Sequence, residues 1–370
     1  MDIQSKRIRV HGGIYIPDPD PPREAHLELT TACNLDCEFC YRRSWNERLG
    51  YMSYKLFRKI LEELKEMGVE DLWFDGWGEP TYHTRFEEMA RDASRYFNLG
   101  LVTNGTLAME RMNAIKENFS WVFVSVDAAN PDKYSKVRVG SNFSIVDSAI
   151  RELVRNGVEV WVSSILMRST IKDVLNLVEW ASDVDASGIL LSNLIATHPH
   201  MTKEQLYGKL PPEEVPRIMF RARNLAMLKS IRIIEPFFEY RTDRRCPFIE
   251  ERSFTITYDG KVVPCLFTLH TFDAWVDGRK SEVKQISFGN LGRSHLKDIW
   301  WSEEYVSFRS KVRLVAYPSC NDCPFWDGCD IAGSNEYDCW GNSPTCSFCP
   351  YYRGIINCPR SYVVRWIVGS

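Results

Sequence analysis

Three cysteines near the start of the chain have a spacing that suits an inorganic cluster. Cys33, Cys37 and Cys40 form a C-x3-C-x2-C pattern directly after a short alternating apolar run. Three thiolates can hold one small inorganic centre, but they cannot close a four-ligand site. A 4Fe–4S cluster normally takes four cysteines, one for each iron, so three would leave one iron open to a second molecule. The alternative is a structural zinc site, which usually takes two C-x2-C-like pairs.

The chain has 12 cysteines among its 370 residues, and all the others lie between 246 and 358. Two of them belong to a C-x13-G-x4-C pattern, and three more form C-x2-C-x5-C. Zinc ribbons also use C-x2-C pairs, so this end of the chain alone leaves iron and zinc open. These nine cysteines are Cys246, Cys265, Cys320, Cys323, Cys329, Cys339, Cys346, Cys349 and Cys358.

A glycine-rich turn with one acid follows the second predicted strand. It reads Gly76-Trp77-Gly78-Glu79-Pro80. Glycines allow a backbone to approach a ligand closely, and Glu79 offers an acceptor to a cationic amine. An ordinary strand-to-helix turn could have the same composition. The turn therefore indicates a ligand site only in combination with the cysteine motif.

Composition excludes several classes of function. The net charge of −3 predicts no broad basic surface, so we expect no nucleic-acid partner. No N-terminal apolar segment reads as a signal peptide, and no apolar run reaches the roughly 20 residues of a membrane span. We therefore expect a cytoplasmic protein without a membrane partner. Disulfides are unfavourable in that compartment, so the cysteines are interpreted as metal ligands.

From residue 26 to about 235, strand and helix patterns alternate. A parallel sheet with right-handed crossovers is the expected arrangement, and six units fall short of the eight that close a full barrel. We therefore predict a partial, laterally open barrel, with its chemistry at the carboxyl ends of the strands. The predicted strands are 26–30, 71–75, 99–103, 121–126, 158–167 and 188–195, and the predicted helices are 54–67, 85–97, 107–117, 143–155, 171–183 and 212–229.

Taken together, these motifs resemble those of the radical S-adenosylmethionine (radical SAM) superfamily, including the aromatic Phe39 before the third cysteine. The later cysteine spacings resemble the SPASM extension of that superfamily. The resemblance implies an α/β fold, a partial (β/α)6 radical SAM barrel with a C-terminal cysteine-rich SPASM extension. The corresponding divisions are an N-terminal extension over 1–25, the barrel over 26–235 and the auxiliary cluster domain over 236–370.

The resemblance also implies which residues contact S-adenosylmethionine. The family holds the amino group of that molecule with a Gly-Gly-Glu-Pro-like turn, and here Trp77 replaces the first glycine of the pair. Arg138 is expected to pair with the carboxylate of the methionine moiety. His198 and His200 follow the sixth strand and are either substrate-facing or, more commonly, solvated loop residues. The implied contacts are Phe39, Gly78, Glu79, Pro80, Asn104, Ser125, Asp127 and Arg138.

By the same resemblance, Cys33, Cys37 and Cys40 hold the 4Fe–4S cluster that binds S-adenosylmethionine, and the later cysteines hold one or two auxiliary 4Fe–4S clusters. Family logic assigns Cys246, Cys265 and Cys339 to the nearer auxiliary cluster, and Cys320, Cys323 and Cys329 to the distal one. It leaves Cys346, Cys349 and Cys358 unassigned.

The implied activity is reductive cleavage of S-adenosylmethionine to a 5′-deoxyadenosyl radical, with electrons from a low-potential donor such as ferredoxin or flavodoxin. The run 338–359 resembles a SPASM subgroup of maturases for tungsten-cofactor oxidoreductases, which implies a pterin-type cofactor or a protein as substrate. The alternative is modification of a peptide or protein side chain. A more remote alternative is a non-catalytic metal-binding or electron-transfer protein.

Overall fold

The computed structural model describes residues 8–10, 13–15, 20–45, 47–208 and 211–360. The strands are β1 Ile8–Val10, β2 Gly13–Tyr15, β3 Glu24–Glu28, β4 Asp71–Asp75, β5 Asn98–Thr103, β6 Phe119–Ser125, β7 Glu159–Leu166, β8 Gly188–Asn193, β9 Arg232–Ile234, β10 Ser253–Ile256, β11 Lys261–Val263, β12 Phe272–Val276, β13 Arg279–Val283 and β14 Gly289–Asn290. The α-helices are α1 Tyr54–Glu66, α2 Phe86–Ala93, α3 Met112–Asn118, α4 Pro131–Val137, α5 Phe143–Arg155, α6 Val174–Asp183, α7 Glu214–Leu228, α8 Pro247–Glu250, α9 Leu296–Trp300 and α10 Glu303–Arg313.

One sheet of 10 strands organises the molecule, in the order β14-β11-β10-β3-β4-β5-β6-β7-β8-β9. Every neighbouring pair from β10 to β9 is parallel. The carboxyl ends of the parallel strands therefore share one edge, as they do in α/β barrels. That edge carries Glu28, Asp75, Thr103, Ser125 and Asn193. No described helix is long and apolar enough to cross a membrane.

Large side chains form a compact cluster on one side of the sheet. Trp73, Phe123, Trp161 and Leu190 form a separate buried cluster, one residue from each of four strands. The ring centroids of Phe123 and Trp161 lie 5.7 Å apart, and those of Trp73 and Phe123 lie 5.6 Å apart. These aromatic rings bury a large apolar area and pack below the carboxyl ends of the strands.

Helix α1 forms as its sequence predicts. The Ser53 hydroxyl accepts a hydrogen bond from the Leu56 N–H at 3.2 Å, so Ser53 is the N-cap. Phe57, Ile60, Leu61 and Leu64 are buried on one face. The helix ends before Gly68, whose φ of 72° suits glycine.

Several predicted boundaries differ from the structure. The first barrel strand covers Glu24–Glu28 rather than 26–30, because its charged residues are buried and hide the apolar alternation. Helix α3 begins at Met112, and the residues from 107 to 111 form turns. Strand β9 and helix α4 were not predicted, and both are short: β9 has 3 residues and α4 has 7.

The cysteine-rich extension continues the same sheet. Strands β10 and β11 form the predicted hairpin around Asp259-Gly260, with Thr255 opposite Val263. Strand β10 then pairs in parallel with β3, so that Thr255 lies opposite His26. The sheet thus crosses the predicted division between 235 and 236, and the division into 1–25, 26–235 and 236–370 stays a prediction.

Candidate functional site

The loop after β3 brings the first three cysteines together. Burial raises the pKa of the Cys37 thiol to about 12, and the thiols of Cys40 and Cys33 add to that increase as electrostatic neighbours. The loop is anchored to the end of α4, where the Glu38 N–H donates to the Val137 carbonyl at 3.1 Å. A set of three clustered thiols without a fourth in the same loop suits a cluster that keeps one iron open.

Glu79 holds the turn after β4 in place. Its side chain is buried, and burial raises the pKa of its carboxyl group. Oε1 accepts hydrogen bonds from the Thr103 hydroxyl at 2.7 Å and the Thr81 hydroxyl at 2.6 Å, and Oε2 accepts from the Asn104 N–H at 2.7 Å. The carboxylate therefore ties the carboxyl end of β5 to the turn that follows β4.

Gly78 brings the same turn against the segment that leads to Cys33. A Cβ at Gly78 would lie 2.1 Å from the Thr30 carbonyl oxygen and 2.6 Å from that of Ala32. The Glu79 N–H also donates to the Ala32 carbonyl at 2.8 Å. Because Gly78 has no side chain, the two backbone segments can pack directly against each other. This contact places Glu79 and Pro80 beside the cysteine loop.

Asp127 and Arg138 form a buried ion pair beside the cysteine loop. Arg138 Nε lies 2.7 Å from Asp127 Oδ2, and Asp127 Oδ1 accepts from the Ile165 N–H at 2.8 Å. The guanidinium group lies over the ring of Phe39, 5.3 Å from its centroid. The structure therefore brings Phe39, Asp127 and Arg138 together, with the Cys37 thiol as an electrostatic neighbour of Arg138.

Of the other residues singled out from the sequence, Asn104 contacts the cysteine loop, and Ser125, His198 and His200 lie at or after the ends of strands. Asn104 Nδ2 is 2.9 Å from Asn34 Oδ1 and 3.7 Å from Cys33 Sγ, so this amide reaches the cysteine loop. Ser125 ends β6 opposite Ser163 and is half-buried. His198 and His200 stack on each other, with ring centroids 5.6 Å apart.

Eight of the later cysteines line two cavities. The first cavity is lined by Cys246, Cys265, Cys346 and Cys349, together with Tyr351 and Phe308. Burial raises the pKa of the Cys246 thiol to about 12, and the nearby Cys265 thiol adds to that increase as an electrostatic neighbour. The second cavity, of ≈ 260 Å³, is lined by Cys320, Cys323, Cys329 and Cys339. Each cavity thus offers the four thiols that one complete 4Fe–4S cluster requires.

Cys339 lies elsewhere than the family pattern suggests, and Cys358, which that pattern leaves unassigned, lines neither cavity. Cys339 lines the second cavity rather than the first, because the turn from Asp338 to Gly341 carries it to the surface near Cys320. Cys358 lines neither cavity: its Sγ lies 3.5 Å from the hydroxyl oxygen of Tyr351. Among the described residues, no group of three or more His, Cys, Asp or Glu side chains has the geometry of a site for a single metal ion.

One cluster at the strand ends escaped prediction. His270 Nε2 lies 3.0 and 2.9 Å from the two carboxylate oxygens of Glu28, which ends β3. The ring of Trp77 packs on His270 at 5.0 Å and on Phe272 at 5.1 Å. The tryptophan that departs from the Gly-Gly-Glu-Pro pattern therefore packs against the extension. The replacement of a glycine by Trp77 was the only sequence signal for this contact. It could not identify His270 and Phe272, which lie almost 200 residues further along the chain.

Comparison with known proteins shows the family to which the chain belongs. Residues 27–181 match the Radical SAM superfamily, and residues 246–324 match SPASM, an iron-sulfur cluster-binding domain. The chain belongs to the radical SAM superfamily and is an enzyme of its SPASM branch. It is 34% identical over 349 residues to the tungsten-containing aldehyde ferredoxin oxidoreductase cofactor-modifying protein of Pyrococcus furiosus, covering 90% of this chain and 96% of that protein.

More distant relatives and solved structures agree with the fold. A probable GTP 3′,8-cyclase of Methanococcus maripaludis is 25% identical, over 66% of this chain and 85% of that protein. Streptococcus suis SuiB bound to S-adenosylmethionine superposes with a TM-score of 0.62 at 14% identity, covering 85% of this chain and 73% of that one. Native anSMEcpe with bound AdoMet gives 0.61 at 16% identity, covering 94% and 99%. The predicted partial barrel with a SPASM extension is confirmed.

Family membership implies iron–sulfur clusters and S-adenosylmethionine, and the residues present fit both. Three thiols stand at the carboxyl end of β3, beside a buried acid and a buried arginine. Two further sets of four thiols line separate cavities. The donors are all sulfur, which suits iron–sulfur clusters.

Proposed function

We propose that this radical SAM enzyme modifies a tungsten-pterin cofactor, or the oxidoreductase that carries it. The observation that carries the proposal is the 34% identity to the Pyrococcus furiosus cofactor-modifying protein across 96% of that protein. The aligned region covers 90% of this chain, so it extends well beyond the barrel into the cysteine-rich extension.

We assign the clusters by the cavities that the thiols share. Cys33, Cys37 and Cys40 bind the cluster that takes S-adenosylmethionine. One auxiliary 4Fe–4S cluster lies on the first cavity and a second lies on the other, and Cys358 is left outside both sets. The proposed auxiliary ligands are Cys246, Cys265, Cys346 and Cys349 for the first, and Cys320, Cys323, Cys329 and Cys339 for the second.

We further assign the predicted contacts to parts of the S-adenosylmethionine molecule. Gly78, Glu79 and Pro80 receive its ammonium group, because a buried carboxylate beside the cysteine loop attracts a cation. Arg138, positioned by Asp127, offers its remaining N–H groups to the carboxylate. Phe39, Asn104 and Ser125 line the space between these charges and the cysteine loop.

When bound, S-adenosylmethionine and its cluster supply a 5′-deoxyadenosyl radical after one-electron reduction. The residues of the chain orient the substrate toward that radical and exclude water from it. We propose that a ferredoxin or flavodoxin of the cytoplasm delivers the electron.

Co-expression with a tungsten enzyme tests whether the pterin cofactor is the substrate. The enzyme is produced with a tungsten-dependent aldehyde oxidoreductase, and the extracted pterin cofactor is compared by mass spectrometry with that from cells lacking the enzyme. A mass difference that needs intact Cys37 supports the proposal. Identical cofactors, with an equally active oxidoreductase, contradict it.

A peptide or protein substrate is the second candidate. It is favoured by 27% identity to the PqqA peptide cyclase of Xanthomonas euvesicatoria, over 84% of this chain and 83% of that protein. The same co-expression decides between the two, because peptide modification would change the mass of a tryptic fragment and leave the pterin unchanged.

A further inference from the structure

Cys358 lines neither cavity, and it lies at the mouth of the barrel with Cys265 of the first cavity as an electrostatic neighbour. The segment that carries it is bound to the end of β8. The Asn357 N–H donates to the Ser192 hydroxyl at 3.1 Å, and Asn357 Nδ2 donates to the Leu191 carbonyl at 2.9 Å. Asn193 Nδ2 donates to the Ile355 carbonyl at 3.0 Å. The side chain of Cys358 is 7% exposed.

The cysteine loop reaches Cys358 from a second side. Tyr41 follows Cys40 directly, and its hydroxyl group lies near that of Tyr351 and near the Cys358 thiol. Cys358 Sγ donates to the same Tyr351 hydroxyl at 3.5 Å. Tyr351 thus bridges the residue next to the S-adenosylmethionine cluster and the buried thiol.

Strand β4 approaches from a third side with a carboxylate that has a free oxygen. Asp75 is 4% exposed and is an electrostatic neighbour of the Cys358 thiol. Its Oδ2 lies 2.6 Å from His26 Nδ1, while Oδ1 has no hydrogen-bond partner among the described residues. A buried polar atom without a partner is costly unless a ligand or reaction uses it.

We propose that Cys358 is a hydrogen-atom donor to a carbon radical at the barrel mouth, and that it is not a cluster ligand. The acceptor is the substrate radical during turnover, and the 5′-deoxyadenosyl radical when no substrate is bound. Three strand or loop ends converge on it where radical SAM chemistry takes place. Asp75 Oδ1 is placed to accept a hydrogen bond from the same substrate. The inference rests on the radical chemistry of the family and holds for a cofactor or a peptide substrate.

The S–H bond of Cys358 breaks homolytically while the hydrogen forms a bond to the substrate radical, which leaves a thiyl radical at Sγ. One electron from the low-potential carrier and one proton from the His26–Asp75 pair then restore the thiol. The carrier is oxidised and the thiyl radical is reduced.

The test needs no substrate. Reconstituted wild-type protein and a Cys358→Ser variant are reduced with dithionite in D₂O in the presence of S-adenosylmethionine. The thiol exchanges its hydrogen with solvent, so the wild type should place deuterium in 5′-deoxyadenosine. Serine keeps the size and the contact with Tyr351, but its O–H bond is too strong to break, so the deuterium fraction should fall about tenfold.

Iron content gives the second readout, with Cys349→Ser as the matched control. Cys358→Ser should keep the iron content of the wild type, whereas Cys349→Ser should lose about four irons. Loss of iron in Cys358→Ser would make Cys358 a ligand, and an unchanged deuterium fraction would remove it from the reaction. Cys358→Ala gives the same two readouts should the serine variant fold poorly. Neither readout depends on the tungsten substrate.

Discussion

At the level of single residues, Glu79 carries more hydrogen bonds than a simple ligand contact would need. Three residues of the protein already donate to its carboxylate: Thr81, Thr103 and Asn104. The same group therefore shapes the turn and supplies the negative charge for an incoming ammonium group. A change at Glu79 should affect both.

We expect Glu79→Gln to weaken S-adenosylmethionine binding about tenfold, because the amide lacks the charge and leaves the Asn104 N–H or a threonine hydroxyl poorly paired. Anaerobic calorimetric titration of the reconstituted protein measures this affinity. Glu88→Gln is the control, since that side chain is 44% exposed and pairs with Arg85 on the surface. Equal affinities for both variants would place the ammonium site elsewhere.

His26 predicts a pH dependence of stability. Burial alone would lower its pKa, but the carboxylates of Asp75 and Glu24 raise it from 6.5 to about 9. The folded state therefore binds a proton that the unfolded state releases above pH 6.5. The resulting stabilisation is complete below that pH and is lost as the pH rises through about 9.

We expect the difference in unfolding free energy between wild type and His26→Asn to shrink by roughly 1–3 kcal/mol from pH 6.5 to pH 9. Urea denaturation of both proteins at the two pH values measures it. Subtracting the variant removes contributions of groups elsewhere. A difference that stays constant would mean that His26 is neutral in the folded protein.

At the level of elements, the turn after β4 and the segment after β3 depend on each other through Gly78. We expect Gly78→Ala to destabilise the protein by about 2–4 kcal/mol, because the added methyl group would overlap two backbone carbonyls that cannot move independently of β3. Thermal unfolding and iron content report the loss. Gly333→Ala is the control, since a Cβ there meets nothing within 4 Å. Similar melting temperatures would show that the segment relaxes.

Local patterns predicted local elements well. Strand β4 covers the predicted 71–75, and α1 has its predicted cap and buried face. Contacts between segments far apart in the sequence could not be predicted from local patterns, because they depend on how the whole chain packs in three dimensions. The contact of β10 with β3 and that of Trp77 with His270 belong to this class.

At the level of the whole molecule, the cysteines form one loop of three, two cavities lined by four each, and one further thiol. Residue types and spacing predicted that the early and late cysteines form separate groups, but not which of the late cysteines share a cavity. Cys339 was expected with Cys246, and folding instead places it beside Cys320. Sequence order cannot show this, since turns and 3₁₀ helices dominate from 320 to 349.

We expect anaerobically reconstituted protein to bind about twelve irons, and Cys37→Ala to keep about eight while losing cleavage of S-adenosylmethionine. The eight thiols of the two cavities are separate from the cysteine loop and should load independently. An iron assay and chromatography of 5′-deoxyadenosine on one sample measure both. Cleavage near the wild-type rate would show that the first three cysteines are not the catalytic centre.

The pairing of β3 with β10 also has a consequence during protein synthesis. Ser253 lies opposite Glu24, so the ribosome must add well over 200 residues before the partner strand exists. At 5–20 residues per second, one edge of β3 stays uncovered for roughly 10–50 s. Exposed strand edges recruit other chains, so the nascent barrel should depend on a chaperone until translation passes β10.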